Sequence, residues 1–315
     1  MKSPVLFLTL ALLAAPALSA QRAVPSGGEW LIEPGDNVGQ VRLTIRVGER
    51  HHDSWENEDQ VPASELVGLA AADLGGTGAT VHFKIVRPAG TLTCEGWFDA
   101  GRGSGHFTYA ANPDFVTELT RRGINAPSAW QQFSLTMTGV GLDLVDELKR
   151  QGYDRPTAET LTRMGTHGAD LEYLREIGAR GYRLQDPEAL VRMRDHGVDP
   201  EFIATLDSAG YKNLDAEDLV RLRDHGVDGD YIAEMKEMGY TPSDPEELVE
   251  SRDHGVDASY VRSLKEAGYD SLSLAELRRA RDHGVTKGFI RRVADRGYGK
   301  PSLDEVIRLR DRGLD

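Results

Sequence analysis

The stretch LVRMRDHGVDPEFIATLDSAGY, Leu190 to Tyr211, returns twenty-nine residues later as LVRLRDHGVDGDYIAEMKEMGY and again as LVESRDHGVDASYVRSLKEAGY. The Gly-Tyr pair at its end keeps this step without a slip from Gly152-Tyr153 to Gly297-Tyr298. So strict a period is typical of stacked helical repeats, because an insertion in one unit would disturb its contacts with both neighbours. The repeat therefore predicts a solenoid over about 170 residues.

Each unit is predicted to contain two short helices. The first begins at Asp186-Pro187, or at Ser273 with Glu276 three residues on, which are typical N-terminal caps. It ends at His-Gly, and the second helix begins at Asp199-Pro200 and ends at Gly-Tyr. Glycine suits both ends because it enters the left-handed region without a Cβ clash. Helices this short are marginal alone, so no single repeat is expected to fold by itself.

The repeated histidines could be a metal-binding or catalytic device, or they could be structural caps. Packed helices lie about 8–10 Å apart, whereas histidine ligands lie about 2 Å from their metal, so stacked histidines cannot share one ion. A histidine in the last turn can instead interact with the negative end of the helix. We predict structural caps at His196, Gly197, His225, Gly226, His254, Gly255, His283 and Gly284, and the same role for His167.

An arginine ladder runs through the same repeats, and each arginine is followed by Asp. These charges could form a solvated face on which side chains of adjacent units pair with each other. Alternatively, they could form a ridge that binds an acidic partner. Further arginines widen the basic stripe, although Glu250 interrupts it. The candidate partner-binding ridge consists of Arg194, Arg223, Arg252, Arg281 and Arg310.

The first twenty residues, MKSPVLFLTLALLAAPALSA, combine one Lys, an apolar run and small residues at the end. This pattern predicts a secretory signal peptide over residues 1–20, since the apolar run is too short for a membrane anchor. Residues 21–27 are predicted to be a linker, followed by a β domain over 28–111 and a repeat domain over 112–315. We expect a soluble chain, periplasmic or secreted, without stable membrane insertion after cleavage.

The formal net charge of −14 argues against nucleic-acid binding and against attachment to anionic membranes, both of which need a basic surface. Cys94 is the single cysteine, so no intramolecular disulfide can form. It lies in the alternating stretch TLTCEGWF, on the predicted face of Leu92, Gly96 and Phe98. A buried small hydrophobic side chain and a reactive thiol are the two alternatives, and the apolar face favours the first.

From about residue 28 to 111, apolar residues alternate in VRLTIRV, VHFKIV, LTCEGWF and GHFTYA. Such alternation predicts strands, and the segment Arg87-Pro-Ala-Gly90 is typical of a turn between two of them. The fold class is therefore α+β: a small antiparallel β domain followed by an αα-hairpin solenoid of 29-residue repeats. The segment GRGSGH, residues 101–106, lies between strands, which favours a hairpin turn over a phosphate cradle.

A polar stretch, ERHHDSWENEDQVPASELVGL, interrupts the alternation and predicts a long loop. A fortuitous polar loop, metal binding and catalysis are the alternatives for it. Adjacent strand residues point to opposite faces, so His51 and His52 would be poor ligands for one metal. The residues of loop 49–60 that could do chemistry are His51, His52 and Asp53, with Glu56, Glu58 and Asp59 near them.

The strand region follows the spacing F-x-x-x-R-x-A-G-T-x-x-x-E-G-x-F, ahead of repeats of the type LRDHGV. In these motifs the chain resembles exported bacterial proteins of unknown function that combine such a β domain with helical repeats. The repeats are also similar to those in the extracytoplasmic part of some membrane metallopeptidases of the β-lactam-sensor type. This chain lacks their zinc motif and transmembrane helices, so the resemblance implies sensing or interaction without proteolysis. The matching residues are Phe83, Arg87, Ala89, Gly90, Thr91, Glu95, Gly96 and Phe98.

A long regular scaffold without a His-Glu-x-x-His, Gly-x-Ser-x-Gly or paired-cysteine motif predicts a non-enzymatic function. We expect an exported interaction or scaffold protein that binds a protein or peptide partner through its repeats, in the context of envelope sensing, without a cofactor. The alternative is an envelope enzyme, or a small-ligand or metal binder, that uses the β domain and loop 49–60. A mechanical or stress-related scaffold is a third hypothesis.

Overall fold

Alternating apolar residues build a seven-stranded antiparallel sheet with the order β3-β2-β1-β7-β6-β5-β4. The computed structural model describes residues 25–49, 52–75 and 77–314, so the predicted signal peptide, residues 21–24 of the predicted linker and His51 lie outside the described residues. The strands are β1 (Gly27–Pro34), β2 (Gln40–Glu49), β3 (His52–Pro62), β4 (Leu66–Val67), β5 (Thr77–Arg87), β6 (Gly90–Asp99) and β7 (Arg102–Ala111). A 3₁₀ turn (Ala63–Glu65) and the short helix α1 (Ala71–Leu74) flank β4.

Trp30 on β1 is the centre of the sheet core. Its side chain is buried, and its ring lies 5.1 Å from the Phe83 ring and 5.8 Å from the Phe98 ring, measured between centroids. Trp30 Nε1 donates hydrogen bonds to the main-chain oxygens of Glu95 and His106, at 3.2 and 3.1 Å. A Cβ at position 96 would lie 2.5 Å from the indole, so Gly96 leaves the room that this ring needs.

The polar stretch predicted to be a loop is strand β3, so the prediction of a loop over residues 49–60 was wrong. Strand β3 pairs with β2 along its length, and the register shifts between Val47 and Glu49. It lies at one edge of the sheet. Edge strands of native sheets carry many charged side chains, because these discourage pairing with other chains. The low apolar content of β3 therefore reflects its edge position.

Helices follow the sheet, and their N-terminal caps were correctly predicted. The carboxylates of Asp186 and Asp199 accept hydrogen bonds from main-chain N–H groups in the first turns of their helices, and Ser273 forms a capping box with Glu276. The helices are α2 (Pro113–Arg121), α3 (Ala129–Met137), α4 (Leu142–Gln151), α5 (Ala158–Thr166), α6 (Leu171–Ala179), α7 (Pro187–Asp195), α8 (Pro200–Ala209), α9 (Ala216–Asp224), α10 (Gly229–Glu237), α11 (Glu246–Asp253), α12 (Ala258–Glu266), α13 (Leu274–Asp282), α14 (Lys287–Val293), a π turn (Ala294–Tyr298) and α15 (Leu303–Asp311).

The helices contact one another at every second position along the chain. One row joins α3, α5, α7, α9, α11 and α13, and the other joins α2, α4, α6, α8, α10, α12 and α14. Their buried side chains form one continuous hydrophobic cluster that extends from Phe115 to Ile307. Each helix therefore buries its apolar face against the helices one repeat away, as expected for helices too short to be stable alone.

The chain divides into two compact units, which we call the sheet unit and the helical unit. The sheet unit contains the described residues up to Ile85 together with Leu92–Ala110. The helical unit contains Val86–Thr91 and the residues from Ala111 onward. Within the helical unit, the Arg87 guanidinium donates to the main-chain oxygens of Thr136 and Met137 at the end of α3.

Candidate functional site

The predicted cap residues lie at the ends of the first helix of each repeat. Helices α7, α9, α11 and α13 each end at a histidine, and the following glycine is in the left-handed region. The φ angles are +70° at Gly197, +68° at Gly226, +69° at Gly255 and +66° at Gly284. The residue after each glycine donates its N–H back into the last turn, as Val198 does to the oxygen of Met193 at 2.9 Å. This geometry terminates the helix and satisfies its final carbonyls.

The histidine side chains have a second role that the sequence analysis missed. Each imidazole Nδ1 lies within hydrogen-bonding distance of a carboxylate in the next repeat, and both side chains are about one-third to one-half exposed. The signal was present, because an Asp follows each of these histidines by 28 residues, and repeats stacked in register bring the two side chains together. The Nδ1–Oδ1 pairs are His167–Asp195 (2.5 Å), His196–Asp224 (2.6 Å), His225–Asp253 (2.7 Å), His254–Asp282 (2.6 Å) and His283–Asp311 (2.8 Å). In residues 25–49, 52–75 and 77–314, no group of three or more His, Cys, Asp or Glu side chains could hold a metal ion.

The five arginines of the candidate ridge lie over aromatic rings of the preceding repeat. A guanidinium above a ring face is attracted by the ring quadrupole, at about 0.5–1 kcal/mol in exposed positions. Each guanidinium also lies beside the left-handed glycine of that preceding repeat. The distances from Cζ to the ring centroid are 5.2 Å for Arg194–Tyr173, 5.0 Å for Arg223–Phe202, 4.9 Å for Arg252–Tyr231, 4.8 Å for Arg281–Tyr260 and 5.1 Å for Arg310–Phe289.

A second line of arginines pairs with acidic residues one repeat further on. Arg192 contacts Glu217 at 2.8 Å, and hydrogen bonding from Arg221 lowers the pKa of the Glu246 carboxyl. The same relation joins Arg163 to Glu188 and Arg279 to Asp304, and Arg278 pairs with the interrupting Glu250. We call this surface, with its His–Asp pairs and arginine stacks, the repeated edge. Its charges are largely used to join one repeat to the next.

The acidic residues of β3 that were candidates for chemistry are spread along the strand. Glu56 pairs with Arg46 at 2.5 Å, and Glu58 lies 3.6 Å from Arg42 on the same neighbouring strand. The hydrogen bond from Arg46 lowers the pKa of the Glu56 carboxyl. Asp59 lies opposite Leu43 in the β2–β3 register. The side chains of His52 and Asp53 lie outside the described part of the structure.

A different set of side chains meets on the polar face of the sheet. It lines a cavity of about 600 Å³ formed by residues of β1, β2, β5, β6 and β7, which we call the sheet cavity. Trp97 lines it with 52% of its surface exposed, beside His82, His106, Glu95 and Ser104. An aromatic ring among donors and acceptors can bind a small polar ligand. This set was not predicted, because only the pairing of the strands brings these side chains together on one face of the sheet.

Two further predictions concern the sheet unit. Cys94 is buried as predicted, and burial raises the pKa of its thiol to about 12, which makes thiolate chemistry at neutral pH unfavourable. The GRGSGH segment was predicted to be a hairpin turn between strands, but the turn lies at Ala100 and Gly101, with φ of +49° and +85°, and residues 102–106 already belong to β7. Two successive residues with positive φ are typical of a tight two-residue hairpin.

No protein-family model matches the chain, and no curated protein is significantly similar to it in sequence. Of the helices in the described ranges, none has both the length and the apolar character that crossing a membrane requires.

Proposed function

We propose that this chain is an exported, non-enzymatic interaction protein whose helical unit is an αα-hairpin solenoid that binds a protein or peptide partner. The observation that carries this proposal is the contrast between constant contacts and variable loops. The arginine–ring stack and the His–Asp pair recur five times with nearly the same geometry. A scaffold that keeps its packing while its surface varies is typical of repeat proteins that bind partners.

The variable positions are concentrated in the loops that follow each Gly-Tyr pair. The four residues that follow that pair read RLQD, KNLD, TPSD and DSLS in successive repeats. The net charge of these four residues is zero in the first two loops and −1 in the last two, whereas the repeated edge stays nearly the same. Partner specificity is therefore assigned to these loops, and the resemblance to exported repeat proteins supports a place in the cell envelope.

Site-specific photo-crosslinking in the full-length protein tests this proposal. A photoreactive residue is placed at an exposed loop position, Lys212, Thr241 or Asp270, or at the control position Val38 in the sheet unit. We expect one envelope protein to crosslink from the loops and not from Val38, with excess unlabelled protein suppressing the product. The purified partner should then bind alanine variants of the same loops about tenfold more weakly. Competed crosslinks from Val38 alone would refute the proposal.

The sheet cavity supports a second candidate function, the binding of a small polar ligand. The supporting observation is Trp97, a large aromatic side chain that is half exposed in the middle of a strand and lines a cavity with His82 and His106. Soluble cell-wall sugars are a suitable probe, because an indole stacks on the apolar face of a sugar ring while neighbouring polar groups bind its hydroxyls. A change in tryptophan fluorescence on titration with the sugar, if it is lost in Trp97→Phe, would support this function. If the fluorescence does not change on titration, this function is excluded.

A further inference from the structure

One cleft in the helical unit departs from the pattern of the other repeats. It lies between two successive loops, residues 180–186 and 210–215, and has a volume of about 710 Å³. We call it the loop cleft. Tyr182, Leu184 and Leu214 contribute half-buried apolar surface to it, and the basic side chains around it are exposed. The loop cleft therefore has an apolar lining and a charged rim.

The rim of the loop cleft carries three cations, Arg180, Arg183 and Lys212. In the described structure none of their side chains forms a salt bridge or a hydrogen bond. On the repeated edge, by contrast, arginines stack on rings or pair with carboxylates. These cations are free to bind an external anion.

Comparison of equivalent loop positions shows that this charge is local. The residue after Gly-Tyr is basic in two adjacent repeats, Arg183 and Lys212, and these two loops border the same cleft. The equivalent residues in the other repeats are Asp154, Thr241, Asp270 and Gly299. The repeat pattern therefore brings neighbouring cations together at this one pair of loops.

The tyrosine of the loop cleft also departs from the three equivalent tyrosines that follow it in the chain. The hydroxyls of Tyr211, Tyr240 and Tyr269 donate to main-chain oxygens of the following loop, at 2.9, 2.6 and 2.7 Å. Among the described residues, the Tyr182 hydroxyl has no such partner. In the facing loop, Asn213 has a φ of +60°, a left-handed conformation that is uncommon for residues other than glycine. The loop cleft thus retains a hydroxyl donor that neighbouring repeats use internally.

Two carboxylates also line the loop cleft, and they limit which ligands fit. Asp215 is engaged as the N-cap of α9, where it accepts from the N–H of Asp218 at 2.8 Å. Asp207 lies on α8 and lines the same cavity. With three cations and these two carboxylates, the lining of the cleft has a net positive charge. It also presents separate polar and apolar surfaces. That mixture fits an extended segment with several carboxylates better than it fits a single small anion.

We infer that the loop cleft binds an acidic peptide segment of the partner, with its carboxylates on Arg183 and Lys212 and an apolar side chain on Leu184 and Leu214. Arginine binds a carboxylate through two parallel N–H groups, and such charge-assisted bonds are stronger than neutral ones. Exposed charges are screened by salt, so binding weakens as ionic strength rises. This inference rests on the proposed function, because it names the partner class for the variable loops.

Fluorescence anisotropy with the full-length protein tests the inference. The probe is a fluorescein-labelled peptide that alternates pairs of Glu with single Leu residues, and its counterpart has Gln in place of Glu. We expect the Glu peptide to bind, and Arg183→Gln or Lys212→Gln to weaken binding by about tenfold each, the effect of losing one charge-assisted bond. The matched control is Lys236→Gln, which removes an exposed cation one repeat further on and should leave the affinity within about twofold. Circular dichroism checks that all variants are folded.

The inference would be overturned if the Gln peptide bound as tightly as the Glu peptide. It would also be overturned if Lys236→Gln weakened peptide binding as much as Lys212→Gln does. Inorganic phosphate that displaces the peptide at equal concentration would show a small-anion site, which also overturns it. Failure of the proposed function is distinguishable. Suppose that the loops crosslink to a partner, and that Arg183→Gln and Lys212→Gln leave the affinity for this partner unchanged. That result overturns this inference alone. Peptide binding without any competed loop crosslink overturns the proposed function alone.

Discussion

The sheet unit and the helical unit are held together by different arrangements of contacts. In the sheet unit one side chain, Trp30, joins distant parts of the chain, since its indole N–H bonds to His106, which is 76 residues away. In the helical unit the same contact is made repeatedly over short separations, such as the 28 residues between His225 and Asp253. A unique contact concentrates the effect of a substitution in one place, whereas a repeated contact spreads it over many equivalent places.

The two units also differ in how freely the residues near their stabilising contacts can vary. A unit held by one unusual residue has little freedom to vary near that residue, as Gly96 beneath the Trp30 ring illustrates. A unit held by a repeated edge can vary many of its loop side chains, since the tyrosine hydroxyls that reach the loops bind main-chain oxygens there.

Trp30→Ala should destabilise the sheet unit by about 3–5 kcal/mol, the usual cost of truncating a fully buried aromatic side chain. The variant also leaves the carbonyls of Glu95 and His106 without their indole donor. Chemical denaturation followed by hydrogen exchange in β6 and β7 measures the loss. Trp97→Ala is the matched control, because its side chain is half exposed. Equal denaturation midpoints for the two variants would contradict a unique role for Trp30.

Tyr231→Phe should cost about 1–2 kcal/mol in the helical unit, because it leaves a buried carbonyl unpaired. The Tyr231 hydroxyl donates to the main-chain oxygen of Val256 at 2.9 Å, across the repeat boundary. Thermal unfolding measures the effect. The converse variant is Phe202→Tyr, which introduces the hydroxyl at the equivalent position of the preceding repeat and should stabilise. If both substitutions changed stability in the same direction, the two positions would not be equivalent.

Glu147→Gln should reduce the loss of stability in acid. The Glu147 side chain is almost fully buried, and hydrogen bonds from Arg150 and then Gln151 lower the pKa of its carboxyl. A lowered pKa contributes stability above the unfolded value of about 4.3, and that stability is lost as pH falls through the folded value. Unfolding free energies at about pH 7 and about pH 3 should therefore differ less in the variant than in the wild type.

Glu56→Gln is the control for that experiment. Arg46 also lowers the pKa of the Glu56 carboxyl, but the Glu56 side chain is half exposed, so solvent screens the pair. Its variant should show a smaller change in acid sensitivity than Glu147→Gln. An equal change would mean that burial does not strengthen the contribution of the Glu147 carboxylate.

His225→Gln should have the smallest effect, about 0–1 kcal/mol, because it breaks one half-exposed pair among several equivalent ones. Asp253→Asn should cost about the same, and the double variant should cost no more than either single variant if the pair acts as a unit. Urea denaturation of all three variants measures the coupling. A loss of stability as large as that of Trp30→Ala would show that the stabilising effect of the repeated edge is not spread over its equivalent pairs.

Local signals predicted the local structure well. The helix starts at Asp186, Asp199 and Ser273 were predicted because a cap depends on a few residues that are adjacent in the chain. The burial of Cys94 followed from strand alternation for the same reason. Strand β3 was taken for a loop because its strand character comes from pairing with β2 and not from its own composition.

The candidate sites were less predictable, since they depend on which distant residues meet. The repeat showed that His225 and Asp253 occupy nearby positions in successive units, but only the packed helices bring Nδ1 and Oδ1 to 2.7 Å. The loop cleft was not predicted, although Arg183 and Lys212 stand at equivalent positions of adjacent repeats. Arg183 and Lys212 come together because two loops of adjacent repeats lie close to each other. The sequence of a single repeat does not contain that distance.

The sequence by itself determined the repeat length, the helix caps, the burial of the apolar faces and the α+β class, because these follow from propensities and periodicities within short segments. The tertiary structure alone decided which charges are paired and which stay free. Arg194 is placed over the Tyr173 ring by the packing of its helix against the preceding repeat, while Arg183, in a loop, has no such neighbour. Pairing depends on distances between segments far apart in the chain, and those distances are set only when the helices pack.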